Sequence, residues 1–198
     1  AALRSLMRQD PEVIMVGEIR DEETAEIAIN AGMTGHLVIS TIHSGSTSGT
    51  FARLINMDIE PFLLASTIMG VLGVRLLRTN CMHCATPYTP EAYALEQLRQ
   101  FEGEEYLQML IDQQGFYKGA GCSACSNTGF SGRGSINELL VCEEQIREAV
   151  MQKRASREIQ GMAVENGMRT LWESGLQMVV DRKTTLEETL QKVAAEQV

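Results

Sequence analysis

A chain of 198 residues, 44% hydrophobic and 22% charged, can bury a core as one large domain or two small ones. Its formal net charge of −9 argues against nonspecific nucleic-acid binding, which needs a basic surface, although acidity does not exclude a local basic site. The opening AALRSLMRQD lacks the layout of a secretory leader and reads as the interior of a larger polypeptide.

That opening is predicted to be helical, with Leu3, Leu6 and Met7 on one face, and Asp10-Pro11 closes it. Val13 to Val16 is the first strand, running through Gly17 into Glu18, Arg20 and Asp21. A buried parallel strand that delivers an acid at its carboxyl end explains this switch, because ligands of α/β sheets bind outside those ends. Asp21 caps a helix from Glu22 to Ala31 that stops at Gly32. A second buried strand, Leu37 to Thr41, leads into the polar turn HSGSTSG and a helix through Phe51, Leu54 and Ile55. This alternation predicts a parallel α/β sheet.

Pro61 suits the first turn of a long apolar helix, PFLLASTIMGVLGVRLLR. Its uncharged part, Phe62 to Val74, falls short of the roughly 20 residues of a membrane span, so it is predicted as a core helix. An acidic helical patch covers Glu91 to Gln114, the glycine-rich tract 119–135 reads as loop, and past Ile136 the chain turns helical again. Thr170-x-x-Glu173 and Thr185-x-x-Glu188 match the capping-box pattern at two helix starts.

The cysteines offer the sharpest chemistry. Cys81 and Cys84 form one C-x-x-C pair, and Cys122 and Cys125 form another. Each pair can grip one ion from a tight turn, and two such turns complete a tetrahedral thiolate site for zinc. The alternatives are a redox dithiol or free buried thiols. His83, inside the first turn, could replace a thiolate, and Cys142 reads as a small core residue.

Glu18 at a strand end could hold the water shell of Mg²⁺, and His43 past the second strand could hydrogen-bond a phosphate. Equally, Glu18 could pair with Arg20, and His43 could be an ordinary loop-edge residue. None of the lysines, Lys118, Lys153, Lys183 and Lys192, follows a glycine, so the sequence holds no phosphate loop.

Taken together, RQDPEVIMVGEIRDEETAEIA, TGHLVISTIHS, RLINMDIEPFLLASTIMGVLGVRLLR and GCSACSNTGFSGRGSINELL resemble the C-terminal half of the type II secretion and type IV pilus assembly ATPases. NGMRTLWESGLQMV and KTTLEETL extend the resemblance almost to the end. It implies an α/β fold: a partial RecA-like P-loop ATPase core over about residues 1–80, a four-cysteine zinc-binding subdomain over 81–136 and a C-terminal helical segment over 137–198. GEIRD is similar to the family's Walker B motif, which assigns Glu18 to the magnesium–water shell and sets Arg20 at the nucleotide or an interface. GHLVISTIH is similar to the His box, which makes His43 a contact near the nucleotide.

The four cysteines match the zinc site of secretion and pilus-extension members, and retraction ATPases lack that insertion. Arg133 matches an arginine near a subunit boundary. Two departures stand out: Ser44-Gly45 replaces the usual Thr-Asn, and Gly134-Ser135-Ile136 replaces one residue followed by Gly-Ile. The resemblance further implies a hexameric cytoplasmic motor that uses ATP and Mg²⁺ and holds Zn²⁺. It would work at the inner membrane through secretion or pilus platform proteins, with no nucleic-acid partner and no membrane insertion. The phosphate loop, the catalytic acidic box and the arginine fingers are expected upstream, so this fragment alone is expected to be inactive. A zinc-stabilised interaction module lacking its own phosphate loop is the alternative. The shared motifs serve the engine, so they do not separate secretion from pilus assembly.

Overall fold

The computed structural model describes residue 9 and residues 11–193, and the helix expected at the head of the chain lies outside the described residues. Strand β1 (Val13–Val16) forms where expected. It pairs in parallel with β2 (Leu37–Ser40), Val13 opposite Leu37 and Val16 opposite Ser40, with α1 (Glu22–Met33) as the crossover. The two strands are not buried on both faces, as the sequence suggested. Ile14 and Val16 point inward, whereas Met15, 76% exposed, alternates outward together with Leu37 and Ile39.

The Asp21 carboxylate caps α1, accepting the Thr24 N–H at 2.9 Å, and Glu22 and Glu23 complement the positive end of the helix dipole. The helix does not stop at Gly32 but reaches Met33. There Thr34 Oγ1 donates to the Ala31 carbonyl, and His36 Nδ1 lies 3.0 Å from the same oxygen. Gly35, at φ +95°, makes the turn out of the helix. Gly32 serves packing instead, since a Cβ there would collide with the Thr67 methyl.

Helices α2 (Gly49–Ile55) and α3 (Pro61–Thr67) follow, with Pro61 in the first turn of α3. The long apolar helix expected from Pro61 does not form. It ends at Thr67, Ile68 is extended, and β3 (Gly70–Asn80) takes over. Leu77 turns inward there while Leu72, Val74 and Leu76 face outward. Apolar side chains on both faces hide a period of two, and Gly70 and Gly73 disfavour helix. Next come β4 (Ala85–Tyr88), α4 (Ala92–Glu102) and α5 (Glu104–Met109), which continues through a π turn at Leu110–Gln114. β5 (Phe116–Gly119) pairs antiparallel with β4.

The tract read as loop is strand from Phe130 onward, and the region past Ile136 read as helix continues that strand. Strand β6 (Phe130–Val141) pairs with β3. Its inward positions are Ile136, Glu138 and Leu140, so an acid in the buried register broke the apolar alternation that would have marked a strand. Glu138 is satisfied at Oε2 by the Leu171 N–H. Helices α6 (Glu144–Met151), α7 (Ser156–Glu165), α8 (Leu171–Val180) and α9 (Leu186–Val193) complete the described residues. None of these helices is long and apolar enough to cross a membrane.

Contacts gather the chain into two compact units, residues 1–73 with 139–168 and residues 74–138 with 169–198. The three consecutive segments expected from sequence cut the chain differently. In the first unit, α6 and α7 pack Ile146, Val150 and Ile159 into the core around Phe51 and Leu64, and Arg147 donates to the Ala65 carbonyl. The second unit closes around Leu77, Leu98, Ile136, Trp172 and Leu186.

Candidate functional site

Two constellations gather the residues singled out by sequence. The first lies past the carboxyl ends of β1 and β2. One backbone bond and one side-chain bond hold those ends together: Ile19 N–H donates to the Thr41 carbonyl at 2.8 Å, and Thr41 Oγ1 donates to the Gly17 carbonyl at 2.7 Å. Glu18 and His43 therefore meet, with His43 Nε2 3.2 Å from Glu18 Oε1. Arg20 also reaches the carboxylate, its Nε 2.6 Å and its Nη2 2.5 Å from Oε2. The ion pair with Arg20 weighed from sequence is thus present, and Glu18 also stands beside His43 past the strand ends.

The Glu18 carboxyl is held below its ordinary value, chiefly by the hydrogen bond from Arg20. Desolvation opposes this, while the charges of Arg20, His43 and Arg53 pull in the same direction. Arg53, on α2, was missed by sequence reasoning, since nothing local marks its charge as acting on Glu18. The corner offers an ionised carboxylate whose Oε2 accepts from Arg20 and whose Oε1 lies beside the His43 ring. Such a carboxylate can accept hydrogen bonds from water or face a cation, and it is not a proton donor. The serines of the following turn are occupied with one another: Ser44 Oγ donates to the Ser46 carbonyl, and Ser46 Oγ takes the Gly49 N–H.

The second constellation is the cysteine cluster. All four sulfurs, of Cys81, Cys84, Cys122 and Cys125, lie within 4.8 Å of one another, and none is in a disulfide. The separations Cys81–Cys122, Cys84–Cys125 and Cys122–Cys125 are 3.8, 3.9 and 3.8 Å. A tetrahedron with metal–sulfur bonds of about 2.3 Å has edges of about 3.8 Å, so the donor set and its spacing fit a four-thiolate ion. Peptide N–H groups of Cys122 and Gly129 point at Cys125 Sγ at 3.2 and 3.3 Å. Those bonds lower the Cys125 thiol to about 6, while burial raises Cys84 to about 12.

Local backbone chemistry builds the two knuckles. Ser126 and Asn127 adopt left-handed φ of 51° and 60°, and a Cβ on Gly119 would collide with the Gly129 carbonyl. Asn80, just before the first knuckle, ties it down by donating through Nδ2 to the carbonyls of Tyr117 and Arg182. His83 is exposed and outside the cluster, and Cys142 is a buried core thiol pushed up to about 11 by desolvation. Arg133 is exposed on β6, lining a shallow surface depression with Leu76, Lys192 and the Arg78–Glu188 pair. That pair, separated by 110 positions in sequence, was not foreseen either.

The fold is α/β, with an acid and a histidine at adjoining strand ends and a separate cluster of four cysteines that could hold a metal ion. The chain belongs to the family described as Type II/IV secretion system protein, which it matches over residues 1–191. It is 44% identical to the type IV pilus assembly ATPase PilB of Thermus thermophilus over 96% of this chain and 21% of that protein. It is 41% identical to the type II secretion system protein HxcR of Pseudomonas aeruginosa over 96% of this chain and 35% of HxcR. It is 38% identical to the type II secretion system ATPase E of Vibrio cholerae over 95% of this chain and 36% of that one.

The chain therefore spans about a fifth to just over a third of these curated relatives. Among solved structures it shares its fold with the ATPase DotB of Legionella pneumophila, at a TM-score of 0.61 and 18% identity over 96% of this chain and 40% of DotB. It likewise resembles the pilus retraction motor PilT, at a TM-score of 0.62 and 23% identity over 96% of this chain and 42% of PilT.

Proposed function

We propose that the intact protein hydrolyses ATP to drive type II secretion or type IV pilus assembly, and that this chain supplies the part of a RecA-like core that follows the phosphate loop. The observation that carries the reading is the meeting of Glu18 and His43 beyond the paired ends of two parallel strands. That the relatives PilB and ATPase E are ATPases of pilus assembly and type II secretion supports it. Glu18 would hold water around Mg²⁺, and His43 would contact the nucleotide near its terminal phosphate. Magnesium, bound with ATP, supplies charge neutralisation on the phosphates. Cys81, Cys84, Cys122 and Cys125 would hold one Zn²⁺, which cross-links the two knuckles. Arg133 would lie at a boundary between subunits of a ring, probed by its effect on assembly. The motor would work in the cytoplasm at the inner membrane through platform proteins.

In the full-length protein, Glu18→Gln is expected to cut ATP turnover about a hundredfold or more, since one positioned electrostatic group contributes about 10²–10³. Its circular dichroism and unfolding midpoint should match wild type. Turnover close to wild type would retire the motor assignment of Glu18 and favour the second reading, in which the Glu18–Arg20 contact is a structural ion pair.

A further inference from the structure

The contact between Arg20 and Glu18 poses a problem for a carboxylate that is to serve a divalent cation. Two guanidinium nitrogens, Nε and Nη2, lie on Oε2 at 2.6 and 2.5 Å. His43 stands on Oε1, and Arg53 adds a further positive charge that acts on the same carboxylate. A hydrated cation arriving alone meets like charge, and it meets a carboxylate with three nitrogen contacts already on its roughly four acceptor sites. The Arg20 side chain is 76% exposed while that of Glu18 is 21% exposed, so Arg20 can leave with little loss of burial. Its planar fork matches phosphate oxygens as well as carboxylate.

We infer that Arg20 is an exchangeable counter-ion: it occupies Glu18 while no nucleotide is bound, and it moves to the phosphates when a triphosphate arrives with its cation. Arg20 is then a positioning residue that makes cation and nucleotide enter together, because the incoming phosphates give the guanidinium its new partner as Glu18 is released. The inference rests on the proposed role of Glu18. It does not need the corner to titrate, and it adds to that role an order of events.

The test uses the full-length protein with Mn²⁺ as a paramagnetic probe, titrated alone and with a non-hydrolysable ATP analogue. Wild type, Arg20→Gln, Arg20→Lys and Glu18→Gln are compared. Arg20→Gln should bind Mn²⁺ alone severalfold more tightly than wild type. It should bind the Mn²⁺–nucleotide complex about tenfold more weakly, the effect of one lost charge-assisted contact. Arg20→Lys should fall between the two, because it keeps the charge but not the fork. Mn²⁺ affinity that is unchanged or weakened in Arg20→Gln, or unchanged affinity for the complex, would overturn the exchange. If Glu18→Gln also leaves every Mn²⁺ affinity unmoved, the reading of Glu18 falls with it. If Glu18→Gln weakens Mn²⁺–nucleotide binding while the Arg20 variants behave as wild type, only the exchange is lost.

Discussion

The corner at Glu18 and the cluster at Cys81 are built on opposite principles. The corner is open: Arg20 is mostly exposed, and the strand ends are tied by one backbone bond, Ile19 to Thr41, and by the Thr41 hydroxyl to Gly17. The cluster is closed, with its four thiols supplied by two short knuckles and the first knuckle anchored by Asn80 to Tyr117 and Arg182. A site that must admit and release a polyanion needs side chains with room to move. A site that only cross-links needs ligands that cannot. Disturbing the cluster should therefore cost stability, whereas disturbing the corner should cost binding and turnover.

The largest effect should come from the metal. Zinc in small peptides contributes about 10–16 kcal/mol of apparent binding energy, much of which is folding energy. Chelation, or Cys125→Ser, should abolish binding of one zinc per chain and loosen the second unit. Trp172, the single tryptophan, lies in the core of that unit and reports the change by its emission. An unmoved Trp172 signal after complete chelation would break the contrast, as would metal-free protein with full thermal stability.

Next in size is the Arg78–Glu188 pair. Glu188 is 1% exposed and accepts from Arg78 Nε at 2.9 Å, from Nη2 at 2.6 Å and from the Arg78 peptide N–H at 3.0 Å. Arg78→Ala strands this carboxylate, and because Arg78 itself is half-exposed the cost should be about 2–4 kcal/mol, at or below the range for a buried pair. Urea unfolding followed at Trp172 measures it.

The same pair sets a pH dependence. Burial raises the Glu188 carboxyl, but the combined bonds and charge of Arg78 outweigh it and hold the group below its ordinary value. The native state therefore binds this proton less readily than the unfolded chain. Its contribution is complete above the ordinary glutamate value near ~4.3 and is lost as pH falls through the lower native value. Wild type should lose urea resistance on that acid limb, and Arg78→Ala should show a flatter one. Equal slopes would assign the acid limb to other carboxylates.

These comparisons also show what could be read from sequence. The first strand, the Asp21 cap and the gathering of the four cysteines were legible because each depends on residues close in sequence or on a repeated spacing. β3 was not, because apolar residues on both of its faces erase the period that separates strand from helix. β6 was obscured by Glu138, a buried acid whose partner is the start of α8, and Arg53 by having no local pattern at all. Both sites owe their anchoring to contacts between residues far apart in the chain, which no local pattern encodes. The Arg78–Glu188 pair, which belongs to neither site, is equally non-local.

The smallest predicted effect isolates this point within one motif. Thr170-x-x-Glu173 forms a complete capping box: Thr170 Oγ1 accepts the Glu173 N–H at 3.2 Å, and Glu173 Oε2 accepts the Thr170 N–H at 2.8 Å. Thr185-x-x-Glu188 has the first half, with the Glu188 N–H 3.1 Å from Thr185 Oγ1, but the Glu188 carboxylate is committed to Arg78. Thr170→Ala should cost about 1 kcal/mol, the ordinary loss of a cap. Glu173→Ala should cost a few tenths, about the scale of one exposed local contact. Glu188→Ala, at the equivalent position, should exceed both by more than about 1 kcal/mol, because it also leaves Arg78 and its peptide N–H without an acceptor. Similar costs for the two glutamates, read from urea midpoints at constant slope, would mean that the ion pair adds nothing to the second unit beyond helix capping.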